Sequence, residues 1–304
     1  MPSYSMFKGT GVAMVTPFTK QGNIDYTALG KLTNHLINGK LEYLVVLGTT
    51  GESATLSKDE KRSVLQCVLD ANQKHLPVVL GVGGNNTAEV ISGLDAKHLT
   101  GVDAILSVTP FYNRPNQEGL YAHYKAVSEN SPLPVILYNV PTRTGVNMTA
   151  ETQLRLANDF KNIVATKEAS GNIEQITNII QHKPEDFLVI SGDDPLTLPL
   201  MACGADGLIS VVGNAFPKQV SEMVRMAMKN KMNEARKLHY SLSDITKLMF
   251  TEGSPAGVKE VLQHLGICGN TLRLPLTNVS HKIAEQIGNL TDSIIKTESV
   301  PSML

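Results

Sequence analysis

Eight short apolar runs, each closed by a turn and followed by a stretch of helical periodicity, leave this chain very few folds. They cover residues 9–18, 43–47, 77–82, 102–108, 134–138, 163–165, 187–190 and 207–211. Apolar at nearly every position, they read as strands buried on both faces, as in a parallel sheet covered by helices. Asp25 caps a helix in which Ala28, Leu29, Leu32, Leu36 and Ile37 share one face. Ser57 to Glu60 has the form of a capping box, with Val64, Leu65, Val68 and Leu69 behind it. Further helices are predicted over 86–98, 117–129, 149–157, 173–180 and 216–228, with a short one after Asp194. Eight βα units in about 220 residues predict an α/β fold, a closed (β/α)8 TIM barrel. An open doubly wound sheet is the alternative, but the chain has neither a GxGxxG nor a GxxxxGK[ST] loop. Beyond residue 229 the strands stop, and 231–249, 256–265 and 279–290 read as helices. The chain divides accordingly into a catalytic barrel, 1–229, and a small helical C-terminal domain, 230–304, whose last residues, including Pro301, are expected to fray.

Composition removes several function classes. Lys plus Arg is 27 against 28 Asp plus Glu, and no basic cluster is interleaved with aromatics, so no nucleic-acid partner is expected. No apolar run reaches the ~18 residues of a membrane span, and the N-terminus lacks a secretory h-region. A soluble, cytoplasmic protein is the expectation. Cys67, Cys203 and Cys268 are odd in number and widely spaced, which fits a reducing compartment better than a disulfide framework. The 8 histidines show no ligand spacing, so no metal is expected.

In such a barrel the reactive groups sit at the C-terminal ends of the strands. Gly48 to Glu52 follows strand two, Tyr112 follows strand four and Tyr138 ends strand five. Arg143 lies in the next loop, Lys167 ends strand six, and Ser191-Gly192-Asp193-Asp194 follows strand seven. Each has an ordinary structural explanation; Lys167, for one, could pair with Glu168. Their shared placement on one rim favours a site. A lysine beside a buried strand is expensive to keep charged, which lowers its pKa and supplies the free amine that Schiff-base chemistry needs. The Gly-Thr-Thr-Gly turn suits a small carboxylate, Tyr138 can shuttle protons, and Arg143 can hold a second carboxylate in bidentate fashion. This is the outline of a metal-free class I aldolase or lyase.

The blocks GTTGESATL, VTPFYNRPNQEGLY, LYNVPTRTG, TKEASGN and SGDD resemble the dihydrodipicolinate synthase (4-hydroxy-tetrahydrodipicolinate synthase) family, within a superfamily of pyruvate lyases, over about residues 7–275. The resemblance implies condensation of pyruvate with L-aspartate 4-semialdehyde, for lysine and diaminopimelate synthesis, without a cofactor beyond the covalent imine. By position, Lys167 matches the imine-forming lysine, Tyr138 the proton-transferring tyrosine and Thr49 the hydroxyl linking it to a second tyrosine. Tyr112 matches that second tyrosine, which in the family reaches a neighbouring subunit's site. Thr50 matches a ligand of the pyruvate carboxylate, Arg143 the receiver of the aldehyde substrate, and Gly192 and Ile209 match positions lining the pocket floor. A homotetramer, a dimer of dimers, is implied. The rival activity is a sugar-acid lyase acting on N-acetylneuraminate or 2-keto-3-deoxygluconate, against which Arg143 argues.

Two departures stand out. Ser254 replaces the asparagine of the family's Asn-Pro-Ile-Pro-Val-Lys run, leaving that contact in doubt. Relatives inhibited by lysine bind it in a pocket with two histidines, a tyrosine, an asparagine and a glutamate. Asn85 and Glu89 match the last two, but Lys58, Lys61 and Phe111 occupy the others, which predicts insensitivity to lysine.

Overall fold

The computed structural model describes residues 4–299; the end expected to fray, around Pro301, lies outside them. Eight parallel strands close on themselves in chain order: β1 (Gly9–Ala13), β2 (Tyr43–Val46), β3 (Val78–Gly81), β4 (Ala104–Val108), β5 (Val135–Asn139), β6 (Ile163–Glu168), β7 (Leu188–Ser191) and β8 (Gly207–Ser210). β8 pairs with β1, Gly9 opposite Gly207, so no edge is left. Outside run α1 (Tyr26–Asn38), α2 (Lys58–Asn72), α3 (Thr87–Ser92), α4 (Gln117–Asn130), α5 (Pro141–Thr144), α6 (Ala150–Asp159), α7 (Ile173–His182), α8 (Thr197–Ala202) and α9 (Pro217–Met228). The TIM barrel is followed by α10 (Met232–Thr251), α11 (Ala256–His264) and α12 (His281–Ser299). None of the described helices is long and apolar enough to cross a membrane.

Strand alternation sorts the core into two layers. Tyr43, Val45, Ile136, Tyr138, Leu188, Ile190 and Ile209 fill the barrel interior, while Leu44, Val46, Val135, Leu137, Val189 and Leu208 face the helices. Phe7, wholly buried, joins the interior cluster edge-on to Tyr43, with ring centroids 5.8 Å apart. At about 1.5–3 kcal/mol per large apolar side chain buried, these layers dominate the fold's stabilisation.

One irregularity interrupts the alternation. Val135 pairs with Ile163 but Ile136 pairs with Ala165, so β6 carries an extra residue, Val164, in a β-bulge. Val164 and Ala165 both belong to the interior cluster, and from there on Tyr138 lies opposite Lys167 and Asn139 opposite Glu168.

The elements depart from the sequence reading in three places. β1 ends at Ala13 rather than near Phe18. The chain then turns across the barrel top, where the Val15 amide donates to Asn214 Oδ1 (3.1 Å) and the Thr16 hydroxyl to the Gly51 carbonyl (2.7 Å). The helix expected over 86–98 stops at Ser92, because Gly93 ends it and Asp95 caps a separate turn, Ala96–His98. α12 runs past Leu290, extending the apolar stripe of Ile283, Ile287 and Ile294.

The C-terminal helices share their core with the barrel. Leu242, Ile245 and Met249 of α10 join the cluster that contains Val220 and Val224 of α9 and Val258 and Val261 of α11.

Candidate functional site

The C-terminal ends of the strands open into a cavity of about 700 Å³. Its lining includes Thr49, Thr50, Tyr138, Arg143, Lys167 and Gly192, six of the eight residues expected from sequence.

Lys167 does not cap β6 but lies within it, one residue before its end, and only 4% of its surface is exposed. Because neighbouring strand residues point to opposite faces, Lys167 turns inward and Glu168 outward. The pairing of Lys167 with Glu168 is thereby ruled out. Among the described residues no ion pair includes Lys167. Its Nζ instead lies 4.3 Å from the centroid of the Tyr138 ring, on the adjacent strand. Glu168 is held by Asn139 Nδ2 (2.7 Å), Gln175 Nε2 (3.0 Å) and the Ser170 hydroxyl (3.1 Å), and burial raises its pKa against these bonds. Behind the nucleophile candidate, then, stands a buried polar network rather than a counter-ion.

The loop after β2 supplies Thr50, buried, and Thr49, exposed to the cavity. Arg143, on the single turn of α5, is exposed at the mouth, and its Nη2 reaches the Ser254 carbonyl at 3.5 Å. That places Ser254 on the cavity wall, where the departure from the family run was noted. After β7, Asp193 and Asp194 join the lining. Burial raises both carboxyl pKa values. Asp194 accepts from the Ser210 hydroxyl and the Val211 amide (2.9 Å), tying this loop to β8.

Two expected residues are placed elsewhere. Ile209 is wholly buried in the barrel interior beside Tyr138 and Ile190, and is not part of the cavity lining. Alternation on β8 turns its side chain inward, to the same interior layer as Tyr138. Tyr112 is 89% exposed, with φ 71° in the left-handed region, and it does not line the cavity of its own chain. Its neighbours are anchored all the same: Asn113 Nδ2 donates to the Asn85 carbonyl (2.9 Å) and Arg114 Nε to that of Gly145 (2.8 Å).

Sequence reasoning missed the roof. His239, Ser243, Thr246, Lys247, Phe250 and Thr251 of α10 form one wall of the cavity, and burial lowers the His239 pKa. An amphipathic helix has the same apolar stripe whether its remaining face meets water or a cavity, so nothing in α10 announces this. Among the described residues no group of three or more His, Cys, Asp or Glu could hold a metal.

Comparison with known proteins fits this geometry. The model of the dihydrodipicolinate synthetase family matches residues 6–294. The chain belongs to that family. It is an enzyme of the dihydrodipicolinate synthetase family by sequence and by fold alike. The 4-hydroxy-tetrahydrodipicolinate synthase of Flavobacterium psychrophilum is 52% identical over 95% of this chain and 99% of that relative. The enzyme of the same name from Parabacteroides distasonis is 52% identical over 88% and 91%. A crystal structure of the chloride-inhibited dihydrodipicolinate synthase of Acinetobacter baumannii, complexed with pyruvate, superposes with a TM-score of 0.91 at 39% identity, covering 94% and 98%.

Within this member of the dihydrodipicolinate synthetase family, Gly192 is a tight position. A Cβ there would fall 2.8 Å from the Ala169 Cβ and 3.0 Å from Lys167 Cε. Gly192→Ala should therefore displace the amine and cost about 10- to 100-fold in kcat/KM. Steady-state kinetics alongside Tm measure this, and wild-type kcat/KM would show that Lys167 does not need the space.

Proposed function

We propose that this enzyme condenses pyruvate with L-aspartate 4-semialdehyde to give 4-hydroxy-tetrahydrodipicolinate, through an imine on Lys167, in the synthesis of diaminopimelate and lysine. The observation that carries the reading is a buried amine with no carboxylate partner among the described residues, beside a tyrosine, at the floor of a cavity whose mouth holds an arginine. The name shared by its relatives, and the pyruvate bound by the Acinetobacter baumannii protein, support it.

In this mechanism Lys167 Nζ attacks C2 of pyruvate, whose carboxylate is held at Thr50, and the carbinolamine loses water to form the imine. Tyr138, with Thr49 in a chain of hydroxyls, moves the protons, and removal of one from C3 leaves the enamine. C3 of the enamine then attacks the aldehyde carbon of the second substrate, whose carboxylate lies on Arg143. The substrate's amino group displaces Lys167 by transimination, which closes the ring and frees the enzyme. Tyr112 completes the hydroxyl chain of a neighbouring subunit in a homotetramer; its exposure supports that role. The sugar-acid lyase reading has nothing at the mouth to favour it over a cationic residue placed for a carboxylate. Borohydride reduction in the presence of pyruvate, with mass mapping, tests the proposal: a pyruvate-derived adduct on Lys167 is expected, and an adduct on another lysine would overturn it.

Regulation is the second point on which the chain can be tested. Lys58 is exposed and Lys61 half-buried at the start of α2, and Phe111 is partly exposed beside Tyr112. A dicationic amino acid meets two ammonium groups and lacks one hydroxyl partner there. Activity should therefore change little at millimolar L-lysine, and saturable inhibition in the same assay would contradict this.

A further inference from the structure

The loop carrying Thr49 and Thr50 ends in a residue whose conformation needs support. Glu52 is 4% exposed and left-handed, with φ 53° and ψ 33°, a region sparsely used by residues other than glycine. Its side chain does not line the cavity. Oε1 accepts from Lys259 Nζ at 2.5 Å, and both side chains are wholly excluded from solvent. Oε2 accepts from the Arg273 amide at 3.1 Å. Lys259 also donates to the Thr271 carbonyl at 2.9 Å and lies 4.3 Å from the Phe18 ring centroid. The pair joins residues 207 apart in the chain. Lys259 stands on α11, which is seated closely: a Cβ at Gly257 would fall 2.3 Å from the Met249 carbonyl oxygen of α10.

Such a pair is a poor way merely to hold a fold together, because desolvation offsets most of its attraction and an apolar pair of similar volume often packs as stably. An ion pair whose two members are each also hydrogen-bonded to backbone does fix orientation, and reacting groups need theirs held within about 0.5 Å. We infer that Lys259 and Glu52 are positioning residues for the Thr49-Thr50 turn, so that capture of pyruvate depends on a buried ion pair reaching across from the C-terminal helices. This rests on the function proposed above. The Glu52 carboxylate holds the end of the turn in place, Lys259 holds that carboxylate, and neither side chain lines the cavity. Because Ser254, just ahead of α11, also meets Arg143, the same segment borders both proposed carboxylate sites.

The test is the double variant E52Q/K259M, which removes both charges and so leaves none buried alone. Pyruvate-dependent borohydride trapping should show a half-saturation raised about 10- to 100-fold, with the trapping rate at saturating pyruvate little changed, since Lys167 and Tyr138 are untouched. A lowered Tm with wild-type half-saturation would make the pair purely structural and overturn the inference. Should the double variant not fold, Phe18→Leu, which removes the ring that the Lys259 ammonium shares with the Arg273 guanidinium, should raise the same half-saturation several-fold; no rise overturns it. If wild-type protein forms no imine, the proposed function fails, and the turn is read by hydrogen exchange instead. Exchange at 49–56 should be at least about 10-fold faster in the double variant while β3 is unchanged, and equal rates there would overturn the inference.

Discussion

Lys167→Ala should lower turnover by on the order of 10⁴- to 10⁶-fold, the scale on which an enzyme loses rate when its covalent nucleophile is removed. The size of the effect follows from the site. Lys167 is 4% exposed and shares the cavity floor with Tyr138, so no other amine is placed to substitute for it at short range. Lys247 also lines the cavity, but on the α10 wall and exposed. The variant should fold normally, because an alanine at this position leaves no buried charge unpaired. Coupled assays and borohydride trapping check the result together. Retained turnover, or an adduct that survives in the variant, would move the imine to another residue.

Arg143→Ala should cost about 10- to 100-fold in kcat/KM for the aldehyde substrate and leave imine formation with pyruvate nearly intact. The separation follows from position: Arg143 stands at the mouth on α5, whereas Thr50 and Lys167 lie deeper and on other elements. The lost interaction is a charge-assisted, bidentate one that lysine would not reproduce, so Arg143→Lys should recover only part of the loss. Kinetics varying each substrate in turn measure this. An equal loss in pyruvate trapping would mean that Arg143 supports the whole rim through Ser254 rather than serving one substrate.

The barrel was legible because each strand is buried on both sides, which writes a solid apolar run into the sequence, and because the caps at Asp25 and Ser57 mark where helices begin. β1 was read too long: Met14, Val15 and Phe18 are as buried as strand residues but belong to a turn across the barrel top. The helix over 86–98 was read through Gly93 because apolar spacing continues past it at Leu94. Within the site, residue type and strand-end position located Lys167, Tyr138 and Arg143. Ile209 faces the barrel interior, as Tyr138 does, but is not among the cavity-lining residues; how high in the barrel a strand residue sits depends on register, which a run of apolar residues does not reveal. The α10 wall and the Lys259–Glu52 pair were invisible for another reason: both join segments far apart in the chain, and neither has a local signature.

A strand presents its side chains in two beats, in and out, so the residue shown at the top is decided by a count begun at the bottom. In β6 the count is off by one: two consecutive inward beats, Val164 and Ala165, set every position after them. Were the strand to alternate strictly from Ile163 through both of them, Glu168 would face the cavity while Lys167 would be turned into the pocket of Asn139 and Gln175. Length, composition and hydropathy would be unchanged, yet an acid would stand where the amine had been. Exchanges among aliphatic residues at 164 and 165 are silent in this respect, whereas smoothing out the bulge over the same residues is a transposition. The chemistry of this chain is therefore guarded less by the identity of the residues beneath Lys167 than by the doubled step they take.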